Sequence, residues 1–205
     1  MQLTGVSPSM TRCVLASLKN QFKYCVAIAA NQENIIVLAS DSPLRPSWKT
    51  IRDSYDNNTA IQQDLRKQRI NSPEAILARI VTTSANIDSI IRGAPLNSDD
   101  LNYLEYVIGE TYENKTYFAA NRSMFEKAIG VPSLDIDWRE LSSPEKGEVM
   151  NHVAHEAMEL KRPTLAYAWA LNSAKEHPSE VSKRLIGQFQ QGQSGPDSKD
   201  VRTSK

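Results

Sequence analysis

The sequence predicts a mainly α protein of the α+β class, a helical domain with a small β-hairpin near its N-terminus. Three observations predict it. Capped helix starts recur, with Ser72-Pro73-Glu74 and Ser143-Pro144-Glu145 as the clearest. Apolar residues step by three and four over most of the chain. Two runs rich in strand formers, residues 22–30 and 35–38, are joined by the polar Asn31-Gln32-Glu33-Asn34, which reads as a hairpin.

The elements follow in order. Ser9 is placed to cap a short first helix carrying Met10, Val14, Leu15 and Leu18. The hairpin ends in Asp41-Ser42-Pro43-Leu44-Arg45-Pro46, where each proline disfavours helix before itself. Ser47 opens a helix with Trp48, Ile51 and Tyr55, which Asp56-Asn57-Asn58 breaks. Thr59 is expected to cap the next, around Ile61 and Leu65. From Ser72 a single long helix is expected, on Ile76, Leu77, Ile80, Val81, Ile87, Ile90 and Ile91, stopped by Gly93 and Pro95. Ser98 opens another, with Leu101, Leu104, Val107 and Ile108 on one side. Ser123-Met124-Phe125-Glu126 has capping-box spacing, with Gly130 as its stop. Leu134, Ile136 and Trp138 alternate with Asp135 and Asp137 as in a short edge strand. A helix from Ser143 to Leu160 comes next. Pro163 starts a segment apolar all round at 165–171, hence buried, and Pro178 starts a last helix with Val181, Leu185, Ile186 and Phe189. From Gln190 the composition turns to Gln, Gly, Ser, Pro and charge. Residues 1–190 thus form one mainly helical domain with 1–46 as its α/β portion, and 191–205 a disordered tail.

Composition narrows the function classes. The chain has 205 residues, 40% of them apolar, enough for one core. Basic and acidic residues balance at 24 each, so overall charge names no partner. The balance is local: net charge is +4 over 1–71, −8 over 72–160 and +4 over 161–205. No run of 18 apolar residues exists and the first 20 residues carry no secretory pattern, so a cytoplasmic protein is expected. Cys13 and Cys25 sit among apolar neighbours and read as buried thiols in a reducing compartment. The glycosylation triplets at Asn57, Asn114 and Asn121 then read as chance matches. Eight glycines, three of them at 187–195, leave no phosphate-cradling loop and no nucleophile elbow. No cofactor is expected.

Two constellations invite a chemical reading. His152, His155, Glu156 and Glu159 share one helix arc, where side chains three and four apart meet, as metal ligands or acid–base groups must. That arc opposes the apolar one holding Val149, Met150, Val153, Ala154, Ala157, Met158 and Leu160, and the spacing is neither His-Glu-x-x-His nor its inverse, so a solvated face is expected. The densest basic stretch is Arg45, Lys49, Arg52, Arg66, Lys67 and Arg69, with Trp48 and Tyr55 interleaved. Basic and aromatic side chains together suit nucleic-acid phosphates and bases, whereas two core aromatics on a solvated helix are the plainer reading. Asp41, Asp53 and Asp56 read as turn formers. Lys161 and Arg162 follow the acidic helix, where cations favour the dipole's negative end. The expectation is a non-enzymatic interaction protein whose partner is another protein. The alternatives are nucleic-acid binding through 45–69 and a metal-dependent hydrolase built on 152–159.

Overall fold

The computed structural model describes residues 1–98, 100, 102–107, 117–128 and 136–192. The protein is mainly helical with a small three-stranded antiparallel sheet near the N-terminus, as its sequence predicts. Helix α1 (Pro8–Gln21) leads into β1 (Tyr24–Ala29) and β2 (Ile35–Ser40). Ser7, not Ser9, caps α1: its Oγ accepts from the Met10 N–H, which leaves Pro8 at the first helical position, where no N–H is needed. The hairpin turn is made by Asn31, whose Oδ1 accepts from the Glu33 and Asn34 N–H groups.

Helices α2 (Trp48–Asp56) and α3 (Thr59–Lys67) follow, capped by Ser47 and by Asn58. Thr59 is therefore the first helical residue and not the cap, because the Oδ1 of Asn58 accepts from the Ile61 N–H.

The long helix expected from Ser72 does not form. Its place is taken by α4 (Pro73–Leu77), strand β3 (Ile80–Thr82) and α5 (Ser84–Ile91). The start is as predicted, with Ser72 Oγ accepting from the Ala75 N–H. The interruption has two causes. Ile80, Val81 and Thr82 are all β-branched, a type that loses side-chain freedom in a helix. The free edge of β1 also needs a partner, which this run supplies: Ile80 pairs with Ile28, Thr82 with Ala27, and the Arg79 carbonyl accepts from the Ala29 N–H. All three β3 residues are buried, so no two-residue alternation marks them as a strand. Gly93 stands at φ +70°, the left-handed conformation predicted to end the helix.

Helix α6 spans Tyr103–Val107 and α7 Tyr117–Ala128. Ser123 is thus inside α7 and caps nothing. Glu126, its expected box partner, instead pairs with Arg122 one turn earlier. Leu101, Ile108, Gly130, Leu134 and Asp135 lie outside the described residues. Ile136 and Trp138 flank Asp137, which bridges to Ser47 as an isolated pair and not as a strand. Helix α8 spans Ser143–Glu159, α9 Pro163–Glu176 and α10 Glu180–Gly192. Ser142 is the cap of α8, its N–H and hydroxyl both donating to Glu145 Oε2. Helix α10 begins two residues after Pro178 and carries Val181 on its exposed side. It ends inside the segment expected to be the tail, and 193–205 lie outside the described residues.

The sheet order is β2-β1-β3, and β1 separates two cores. Cys25, Ala27 and Ala29 face the first, with Leu15, Ile87, Ile90 and Phe125 from α1, α5 and α7. Val26 and Ile28 face the second, the larger, which α8 and α9 dominate through Met150, Val153, Ala157, Leu165 and Trp169. Helices α8 and α9 run antiparallel: Ser173 Oγ, late in α9, donates to the Gly147 carbonyl, early in α8, and Lys146 pairs with Glu176. The turn between them, with Lys161 at φ +56°, closes when the Arg162 N–H donates to the Ala157 carbonyl.

Candidate functional site

On the sheet face that carries Val26 and Ile28, the part toward β2 that the second core leaves uncovered is where apolar surface meets solvent. The register sets Val26 opposite Leu38 and Ile28 opposite Ile36, so all four project from one face with Tyr24. Ile36 and Leu38 are 52% and 45% exposed. Beside them lies a groove of about 770 Å³, open to solvent. Its floor is Tyr24, Val26 and Ile28, and its walls come from Pro43–Pro46, Ile51 and Ile76. The two prolines of that loop disfavour helix before them, and Leu44 between them is partly buried and lines the groove. Polar groups are few. Ser84 Oγ is occupied, accepting from the Cys25 N–H and donating to its carbonyl. Thr83, which also lines the groove, has its Oγ1 buried without a hydrogen-bond partner among the described residues.

The strand edge next to this face is open. The Ala30 N–H donates to the Asn34 carbonyl and the Ile35 N–H to the Met1 carbonyl, so along β2 the even residues bond to β1 and the odd ones point outward. Met1 occupies both outward groups of Ile35, accepting from its N–H and donating to its carbonyl. Beyond it, no described residue pairs with the outward N–H and C=O groups of Val37 and Ala39. An unpaired edge beside exposed apolar side chains is a template for another strand.

The residues singled out by sequence are placed as follows. His152, His155 and Glu159 are exposed on α8. Glu156, one turn after His152, is partly buried and accepts from Ser72 Oγ at 3.3 Å. Among the described residues no group of three or more His, Cys, Asp or Glu side chains is arranged to hold a metal ion. Met158, assigned to the apolar arc, is 38% exposed. Of the basic stretch, Lys49 pairs with Asp53 and Glu140, Arg52 with Asp53, and Lys67 with Asp64. Arg45 is exposed at the rim of the groove, and Arg66 and Arg69 are exposed at the end of α3. Trp48 and Tyr55 are buried, Trp48 stacking on Trp138 at 6.1 Å, so neither ring is presented to a base. The Arg52 guanidinium, bonded to Asp53, holds that carboxyl below its ordinary range. Asp41 and Asp56 are exposed. Both cysteines are free and buried, and burial pushes both thiols up. Asn121 is fully buried, its Nδ2 donating to the Leu3 and Val6 carbonyls, so this triplet is structural and not a glycan acceptor.

The groove itself has no sequence motif. Its one legible signal was the pair Ile36 and Leu38, apolar on the strand face that alternation would assign to water. No helix of the described residues is long and apolar enough to cross a membrane. Set against known proteins, the chain matches no family model, no curated protein and no solved structure.

Proposed function

We propose that this protein works by binding another protein, and that the bound segment is an extended, apolar peptide stretch laid along the outward edge of β2. The observation that carries this reading is the coincidence of an open strand edge with an apolar face. The outward groups of Val37 and Ala39 ask for a strand, and Ile36, Leu38 and the adjoining groove ask for apolar side chains at every second position. In strand addition the backbone bonds supply affinity and pockets for alternate side chains supply choice. Arg45 at the rim and the Tyr24 phenol are the titratable side chains among the described lining residues, and with no carboxylate, imidazole or thiol among those residues the groove fits recognition better than turnover, since acid–base or nucleophilic chemistry needs placed titratable groups.

The test is a titration with extended peptides carrying apolar residues at alternate positions, read by amide exchange. Binding should slow exchange at Val37 and Ala39 and leave Ile36 and Leu38, already bonded to β1, unchanged. Leu38→Lys should weaken binding at least tenfold without altering the far-ultraviolet spectrum. Peptide binding that leaves the Val37 and Ala39 amides as they were rejects the edge. Turnover of a phosphatase, nuclease or esterase substrate, abolished by one polar substitution, rejects the whole reading.

One observation favours nucleic-acid binding as a second reading. Helix α3 has no buried residue, and Arg66 and Lys67 in its last turn are exposed together with Arg69 just beyond it. Binding of this kind weakens linearly in log salt and by the same amount for every base sequence when these charges are reversed.

A further inference from the structure

Two residues of the β2 edge are open, and what stands on either side of them decides what fits. The outward N–H and C=O groups of Val37 and Ala39 have no partner among the described residues. At one end Met1 holds the outward groups of Ile35. At the other, the Ser42 N–H donates to Ser40 Oγ at 3.1 Å, in a bend that takes the chain off the strand line at Asp41. The free edge is therefore residues 36–40, with Leu38 at its centre.

An edge that is free symmetrically about one residue is complementary to a second copy of itself. A twofold axis at Leu38 sets two such edges antiparallel, with Val37 opposite Ala39 of the second copy and Ala39 opposite Val37 of the second copy. Both are hydrogen-bonded pairs, which exchange two N–H···O bonds each, so the contact makes four. The neighbouring registers make fewer. Val37 against Val37 would bring Ala39 to Ile35, whose outward groups Met1 holds, and Ala39 against Ala39 would bring Val37 to Asp41, which has left the strand. Each of these makes two bonds and strands one open residue per copy.

The same axis gathers the apolar side chains. Leu38 against Leu38 is a non-hydrogen-bonded pair, in which side chains come closest, and each Ile36 is diagonal to Leu38 of the other copy. The exposed Ile36 and Leu38 thereby become one cluster of four side chains. Edge strands are commonly kept apart by a charge, a proline or a bulge. Strand β2, Ile-Ile-Val-Leu-Ala-Ser, has no charged residue and no proline, and its pairing with β1 runs without a register shift.

We propose that the outward edge of β2 pairs with β2 of a second copy about a twofold axis at Leu38, giving a continuous six-stranded antiparallel sheet. The proposal rests on the reading of this edge as a strand acceptor and names the strand that fills it when no other protein is present. A single strand pair is a small interface, so the dimer dissociates at concentrations on the order of micromolar or above.

Sedimentation of the full chain from about 1 to about 500 µM is the test. The mass should climb from 22.9 kDa toward twice that value. Over the same range, amide exchange should slow at Val37 and Ala39 and stay unchanged at Ile36 and Leu38, which bond to β1. Leu38→Lys sets like charges opposite one another and should raise the dissociation constant at least about tenfold. Leu38→Cys reads the register: the opposed Cα atoms of such a pair lie about 4.5 Å apart, within disulfide reach, so a mild oxidant should join two copies. Ile36→Cys should stay unjoined, because the two positions stand four residues apart along the strands. Cys13 and Cys25 are buried and take no part. A mass of 22.9 kDa at every concentration overturns the proposal. So does a dimer whose Val37 and Ala39 amides exchange as in the monomer, or an Ile36→Cys chain that joins as readily as Leu38→Cys. An extended peptide that slows Val37 and Ala39 in a chain that stays monomeric removes the dimer and keeps the acceptor edge. Amides slowed by neither peptide nor concentration remove both.

Discussion

Replacing Trp169 with Ala tests the core that α8 and α9 build. The side chain is 1% exposed and sits with Met150, Val153, Ala154, Leu165 and Leu185. A buried tryptophan removes about 200 Å² from water, and at about 25 cal/mol per Å² that is ~5 kcal/mol. Two effects reduce it. Alanine keeps part of the contact, and the indole Nε1 is buried without an acceptor, so its removal relieves a desolvated donor worth about 1–2 kcal/mol. The cavity left behind acts the other way, and the expected net loss is about 3–5 kcal/mol. In urea the midpoint should fall with little change in slope, and the melting temperature should drop by about 6–20 °C for a chain of this size. Trp169→Phe separates the effects: it fills most of the volume and removes the orphaned donor, so it should cost under about 1.5 kcal/mol. His152→Ala, on the exposed side of α8, is the control, at under about 0.5 kcal/mol. The reasoning fails if Trp169→Ala costs less than about 1 kcal/mol, or if Trp169→Phe costs as much as Trp169→Ala.

Gly147→Ala should destabilise despite the ~1 kcal/mol helix preference for alanine, because the new methyl would stand 2.9 Å from His177 Cβ; a higher urea midpoint would contradict this. Asn121→Ala should cost about 1–3 kcal/mol, since the Leu3 and Val6 carbonyls lose their donor in a buried place; calorimetry gives the value. Asp137, bonded by the Arg139 guanidinium and N–H, is drawn from 3.8 to about 2. A lowered carboxylate contributes stability above its unfolded value and loses it as pH falls through the folded one, so Asp137→Asn should flatten the acid limb between pH 4 and 2.

The helix starts and the hairpin were legible because each is written in contiguous residues. Ser47 and Ser72 cap where they should, Asn31 makes the turn, and α8 buries Met150, Val153 and Ala157 while exposing His152 and Glu159. The segment 76–91 was misread because Ile76, Leu77, Ile80 and Val81 satisfy a helical spacing as well as a buried strand does. What chose between them was the free edge of β1, fifty positions upstream. The groove was hidden for the same reason, since its floor, loop and walls are distant in sequence. The tie between α7 and the α8–α9 turn was hidden too, since Arg122 reaches the Lys161 carbonyl only through the fold.

The late strand β3 also shapes how the molecule comes together. The β1–β2 hairpin closes over a handful of residues and can form on its own in microseconds. Joining Ile80 to Ile28 instead closes a loop of about fifty residues, with α2, α3 and α4 inside it, and the closure entropy is lost before the contact is gained. The sheet should therefore be completed in two unequal steps, the slower of which would seat Arg79 and join the two cores across β1. Native-state hydrogen exchange should find the hairpin amides of Ile28 and Ile36 opening separately from that of Ala29, which donates to β3's side of the sheet, so that the last strand to arrive is the first to leave.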